Sequence, residues 1–204
     1  MYNDIKLLIG AGQNKIQYVK KFSEYLEKSG INCKLVIDTE TCNGFPSKNI
    51  SQWINPFKKI NLLIESFKPD VVFIDRQTQF GIGAIKAGIP LLMHLRGNYW
   101  KEVEWAKKNG SIKDKIILSI KEKRAEDCFK NSKMILPFSN HLSQIVSERY
   151  PDKKIKVFHD GLEIKDWYKD EPMNFKHPCV GLLQNASIWK KAQEMISLKS
   201  ILEK

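Results

Sequence analysis

The sequence predicts an α/β fold: a Rossmann-like parallel sheet with helices on both faces, followed by one further C-terminal strand and helix. Two observations carry this. Short apolar runs alternate along the chain with longer stretches whose apolar residues recur every three to four positions. The run Val71-Val72-Phe73-Ile74 has no polar interruption, as a strand covered on both faces requires. Strand–helix alternation of this kind builds parallel sheets.

Ile5 to Ile9 reads as the first strand, and Gly10-Ala11-Gly12-Gln13-Asn14 as the loop that ends it. Residues 15–29 read as a helix through Ile16, Val19, Phe22, Tyr25 and Leu26, stopped by Gly30. Cys33 to Ile37 is the second strand, ending at Asp38. Gly44, Pro46, Ser47 and Asn49 make 39–52 a loop. Residues 53–67 return to helical spacing through Ile54, Phe57, Ile60, Leu63, Ile64 and Phe67, and Pro69 closes that helix. After the strand at 71–74 come a short helix over 79–87, a Gly88-Ile89-Pro90 turn and a strand from Leu91 to Leu95. A helical region follows over 99–131, interrupted near Asn109-Gly110. Met134 to Leu136 is a strand, and Ser139 or Asn140 caps a helix running to about 149. Ile155 to Phe158 is another strand, 159–178 a loop, 179–183 a strand and 188–203 the last helix.

A length of 204 residues fits one domain, or one domain and part of another. The 42% hydrophobic content suffices for a core and excludes a disordered chain. No stretch reaches the roughly 18 apolar residues of a membrane span. Met1-Tyr2-Asn3-Asp4 lacks the basic start of a secretion signal, so a cytoplasmic location is expected. Cys33, Cys42, Cys128 and Cys179 are widely spaced, which suits free thiols better than zinc or disulfides. The net charge of +11 comes almost entirely from lysine. Arg76, Arg96, Arg124 and Arg149 do not cluster with aromatic residues, which argues against nucleic acid as a partner. A solvated lysine surface is one reading of the charge. Weak, peripheral attraction to an anionic membrane leaflet carrying a lipid-linked acceptor is the other.

Open parallel sheets bind ligands outside the carboxyl ends of their strands, so the candidate residues are those just after each strand. Gly12, Gln13 and Asn14 follow the first. Glycine lets a backbone approach a ligand, and the next helix start can hold a phosphate. The loop reads as a sugar or phosphate contact, as a structural turn, or, with Asp38, as part of a nicotinamide site. Lys15 stands where a dinucleotide fingerprint has its third glycine. Asp75 and Arg76 end the third strand, and His94, Arg96 and Gly97 the fourth. Arginine's planar fork suits phosphate or carboxylate. Asp75 and Arg76 also read as an internal ion pair, and His94 as a core histidine. Ser139 is a ligand contact or a helix cap; Asp160 and Gly161 are a ligand contact or a turn.

In this order the motifs resemble the N-terminal domain of family 4 retaining glycosyltransferases, which have the GT-B fold. Lys68-Pro69-Asp70-Val71-Val72 and Ala87-Gly88-Ile89-Pro90-Leu91-Leu92-Met93-His94 resemble the family's "PDVVH … GIPVVxTxH" stretch. Glu126 through Ser139 is similar to its "E-x-x-x … ADxVIxVS" stretch. Ile155 through Glu163 is similar to "KIxVIxNGVD", and Pro178 through Leu183 to "FVGRL". The resemblance implies one GT-B half: an acceptor-side domain over 1–175, with 176–204 either starting the donor domain or packing back on the first.

The implied reaction moves a hexose, with retention, from a nucleotide-sugar donor to a hydroxyl acceptor: a sugar, a lipid or a polyprenyl-linked saccharide. The nucleotide sugar is a substrate, and neither cofactor nor metal is implied. His94 would face the transferred sugar, and Gly12, Gln13, Asn14, Asp75, Arg76, Arg96, Gly97, Ser139, Asp160 and Gly161 would line or flank the cleft. Lys190 or Lys191 would meet the donor diphosphate. The chain departs from the family at Asp160, where the family has Asn, and at Leu182, where it has Arg. The Glu-x7-Glu donor motif is missing, so the chain alone is expected to be inactive until a C-terminal domain or partner chain completes it. The alternatives are a non-catalytic binding or regulatory module and an NAD-binding oxidoreductase domain.

Overall fold

The structure is a computed structural model that describes residues 4–44, 46–47, 50–159 and 161. Five strands form one sheet: β1 (Lys6–Ala11), β2 (Asn32–Ile37), β3 (Val71–Ile74), β4 (Leu91–Leu95) and β5 (Met134–Pro137). Their order is β2-β1-β3-β4-β5, and every pairing is parallel. The helices are α1 (Ile16–Lys28), α2 (Asp38–Thr41), α3 (Ser51–Ile54), α4 (Lys58–Phe67), α5 (Gln79–Lys86), α6 (Tyr99–Asn109), α7 (Ile112–Asn131) and α8 (Asn140–Arg149). The sheet with helices on both faces is the fold expected.

Alternation along β1 explains the two layers. Leu7, Ile9 and Ala11 point to one face and pack with Val19, Phe22 and Leu26 of α1, Phe73, Leu136 and Phe158. Leu8 points to the other face and joins Val72, Ile74, Leu91 and Met93 beneath Ile60 of α4, Phe80 of α5 and Phe129 of α7. β2 is an edge strand, and its exposed Asn32 and Lys34 suit it to that place.

Helix α5 lies unusually close to the sheet, and glycines make that approach. A Cβ on Gly10 would fall 2.7 Å from Phe80 Cδ1. One on Gly81 would fall 2.7 Å from Ile74 Cδ1, and one on Gly83 2.8 Å from Ile60 Cγ2. Glycine inside a helix costs about 1 kcal/mol relative to alanine. Here close packing against β3, β4 and α4 offsets that cost.

Four expectations change. The helix expected over 53–67 is two, α3 and α4, broken at Asn55-Pro56. Proline drives the residue before it out of helical geometry, and Asn55 has φ −134° and ψ 73°. The expected 39–52 loop has helical turns at both ends, α2 and the start of α3. β1 runs on through Gly10 and Ala11, which pair with Val36 and Ile37 of β2. The expected strand at 155–158 runs beside β5 as an extended segment. Ile135 N–H donates to Lys154 O, and Lys156 and Phe158 N–H donate to Ile135 O and Pro137 O, but only Ile135 and Ile155 form a ladder pair. The strand and helix expected within 179–203 lie outside the described residues.

Cys33, Cys42 and Cys128 are free thiols. Burial, with Glu27 nearby, pushes Cys33 up to about 11. Burial pushes Cys42 and Cys128 to about 12, so all three stay protonated and unreactive at neutral pH. Cys179 lies outside the described residues. Among the described residues, no helix is long and apolar enough to cross a membrane.

Candidate functional site

The strand order reverses direction between β1 and β3, and the loops after these strands leave to opposite faces. That divergence opens a crevice at the carboxyl end of the sheet. The register of β3 on β4 sets Phe73 opposite Leu92 and Ile74 opposite Met93. One step further, Asp75 and His94 come side by side on the α1 face. Asp75 is 3% exposed and His94 1%.

His94 Nδ1 lies 3.3 Å from Asp75 Oδ1, and Arg96 Nε donates to the same oxygen at 2.5 Å. Burial raises the Asp75 carboxyl, but the hydrogen bonds from His94 and Arg96 and the Arg96 charge outweigh it. The net effect holds Asp75 below the usual carboxylate range. A carboxylate at Nδ1 places the ring proton there in neutral imidazole and leaves Nε2 as an acceptor. Nε2 is buried and has no hydrogen-bond partner among the described residues. The ring sits against Phe158, edge-on at 5.3 Å, and Phe73 at 6.0 Å.

The Arg96 guanidinium lies over the Tyr18 ring, 4.7 Å from its centre, and Tyr18 Oη donates to Gly161 O at 3.3 Å. A chain of contacts thus runs from Gly161 through Tyr18, Arg96 and Asp75 to His94. Tyr18 is not a strand-end residue, and Phe158 reads from the sequence only as part of a strand. The available signal was Tyr18 and Phe22, an aromatic pair four residues apart on the helix that follows the glycine loop.

The structure brings Asp75, His94, Arg96 and Gly161 together. Arg76 is exposed and has no hydrogen-bond or ion-pair partner among the described residues, so the Asp75–Arg76 pair is not formed. Asp75 turns inward to His94 and Arg96 because it continues the buried face of β3. Gly97 lies against Glu102, whose Oε1 would be 2.6 Å from a Cβ there. Ser139 Oγ accepts the Leu142 N–H at 3.3 Å and caps α8. Asp160, Lys190 and Lys191 lie outside the described residues.

Gly12 precedes a single 3-10 turn, Gln13–Lys15, with φ −67° and ψ 151°, an ordinary extended conformation. A Cβ on Gly12 would meet nothing within 4 Å, and Gln13 and Asn14 are exposed. Gly12→Ala is therefore expected to leave unfolding stability within about 0.5 kcal/mol of the parent in urea titration.

The fold is shared with a UDP-GlcNAc 2-epimerase. That enzyme, from Methanocaldococcus jannaschii, superposes with a TM-score of 0.51 over 75% of this chain at 16% identity. Nine chains of known structure match in all. This chain spans 45% of the epimerase's length, and at 16% identity the likeness is one of fold. No family model and no curated protein matches the sequence.

Asp38, at the end of β2, is buried. Burial pushes its carboxyl up and the Asp75 charge adds to that, against the hydrogen bond from the Thr39 N–H. Its Oδ1 already accepts the Thr39 N–H at 2.6 Å. Among the described residues, no group of three or more His, Cys, Asp or Glu side chains is placed to hold a metal ion.

Proposed function

We propose that this chain is the acceptor-side, Rossmann-like half of a GT-B sugar-nucleotide enzyme, a retaining glycosyltransferase. The carrying observation is the buried Asp75–His94–Arg96 group at the strand ends of a fold shared with a sugar-nucleotide epimerase. In this reading residues 1–175 form the acceptor-side domain. Asp75 orients His94 so that Nε2 accepts a hydroxyl of the transferred sugar. Arg96, held by Asp75 and Tyr18, places positive charge near the leaving diphosphate, where charge develops as the anomeric C–O bond breaks. The open space above Gly12 and the exposed Gln13 and Asn14 admit the ligand between the β1 and β3 loops. In this reading the nucleotide sugar is a substrate and the reaction uses no further cofactor.

A second reading, a sugar-nucleotide epimerase, is favoured by the identity of the fold neighbour. The product separates the two in a completed protein. Transfer yields free nucleotide and a glycosylated acceptor, whereas epimerisation returns an intact nucleotide sugar. The nicotinamide reading is weakened by the burial of Asp38, whose Oδ1 already accepts the Thr39 N–H.

The test uses the chain itself. Titration with UDP-GlcNAc, followed by amide shifts, is expected to move Gly12 to Asn14, Arg76 and Gly97. His94→Gln is expected to weaken binding by up to about tenfold, the worth of one hydrogen bond. Shifts with NAD instead, or none at these residues, would count against the proposal. Nucleotide release by the chain alone would contradict the half-site view. In a completed protein, an unchanged transfer rate on His94→Ala would remove His94 from the site.

A further inference from the structure

We propose that the helical hairpin of α6 and the first half of α7 is a docking surface for an anionic lipid bilayer. Its place in the fold comes first. Asn131 leads into β5, so α7 ends at the amino edge of the sheet, where Lys133 N–H bonds Leu91 O. Cys128 Sγ is 3.4 Å from Thr78 O, and Thr78 immediately precedes α5, just past the carboxyl end of β3. From Ile112 to Cys128 is about 24 Å of helix at 1.5 Å per residue. Most of that length therefore stands beyond the carboxyl rim, beside the crevice. Burial agrees: the buried residues of α7 are Ala125, Cys128 and Phe129, all in its second half. That half is anchored, with Phe129 stacked on Trp100 and Tyr150, and Tyr150 Oη donating to Glu126.

The projecting part is built to persist. Ser111 and Asp114 form a capping box, and Lys107 pairs with Glu122 across the two helices. Yet it exposes apolar surface. Ile112 is 80% exposed and Ile116 59%. With Lys115, Ser119, Ile120 and Lys123 they line one shallow groove. At 3.6 residues per turn this strip lies on roughly the opposite side of α7 from Ala125, Cys128 and Phe129. The sheet cannot cover it.

Charge selects the occupant. Three of the hairpin's four acids are engaged, Glu104 with Lys101, Glu122 with Lys107 and Asp114 in the cap, while Glu102 lies against Gly97 at the start of α6. Lys115 and Lys123, both in the groove, have no ion pair among the described residues, and Lys113 stands beside them in the first turn of α7. Isoleucines interleaved with lysines whose stems can lie along them while their heads reach out match an apolar boundary under anionic headgroups. Docking here would set the crevice beside the bilayer, where a lipid-borne hydroxyl acceptor would be presented. The docking itself does not depend on the transferase reading, because vesicle binding is measured without a nucleotide sugar.

The experiment is cosedimentation of the full chain with vesicles of phosphatidylcholine alone, or with about 30% phosphatidylglycerol. Binding is expected only with phosphatidylglycerol and is expected to weaken as salt rises. Ile112→Ser/Ile116→Ser, which keeps the charge, is expected to lower partitioning about tenfold. Lys113→Gln/Lys115→Gln/Lys123→Gln is expected to lower it at least tenfold, at roughly fivefold per lysine. The matched control, Lys68→Gln/Lys133→Gln/Lys154→Gln at the amino ends of the strands, is expected to change it less than threefold. An equal loss in the control would reduce the effect to net charge and overturn the proposal. So would parent-like binding by the isoleucine variant. A dimer in light scattering that this variant turns into monomer would assign the face to a second copy instead.

Discussion

Asp75→Asn is expected to lower stability by about 3 kcal/mol at neutral pH, the low end for breaking a buried ion pair. The carboxylate holds two donors at once on one oxygen. Without its charge, Arg96, 15% exposed and lodged over Tyr18, keeps a cation with little water to replace the lost partner. That residual access to water is why the lower end applies. The pH dependence has a definite sign. The folded Asp75 titrates below its unfolded value of about 3.9, so its contribution is full above that pH and lost as pH falls through the folded value. Urea unfolding of parent and variant should differ most at neutral pH and converge below about pH 4. A gap under about 1 kcal/mol at pH 7, or one that widens in acid, would contradict this account.

Gly10→Val is expected to cost about 3 kcal/mol, at the upper end for overpacking a filled core. Even the first added carbon would sit 2.7 Å from Phe80 Cδ1 and 2.8 Å from Cε1. Phe80 is fully buried, and the tight seats of Gly81 and Gly83 keep α5 from lifting away. Gly10→Ala should cost roughly 1–2 kcal/mol. Adding Phe80→Leu should recover part of that, a coupling that a double-mutant cycle reads directly. If Gly10 served a ligand rather than packing, Gly10→Ala would leave Tm unchanged. The two glycines of one short motif thus divide, with Gly10 belonging to the core and Gly12 to the crevice.

That division marks the limit of what the sequence discloses. The five strands were legible because each is an apolar run bounded by turn residues, as at Val71–Ile74. The α6–α7 break was legible at Asn109-Gly110, and the α8 cap at Ser139. Pro56 was an available stop signal that the periodicity of the surrounding apolar residues masked. Gly10 was different in kind. Its neighbour is Phe80, distant in sequence, and no local pattern reports that meeting. The same holds at the site. Asp75, His94 and Arg96 were each recognisable as strand-end residues. That one carboxylate would hold the other two follows from the β3–β4 register, which is a property of the assembled sheet. Tyr18 entered only through the ring beneath Arg96.

The interior position of β1 in the sheet carries a consequence for biogenesis. β1 is made before both of its partners, residues 32–37 on one side and 71–74 on the other. Until the second partner emerges, Leu8 has no opposite layer to enter. The early chain holds an α1–β2 unit with one bare apolar face, and sheet closure waits on the arrival of β3 and of Phe80. A nascent chain of this protein is thus most exposed to chaperone capture and misassociation before the α5 segment has emerged.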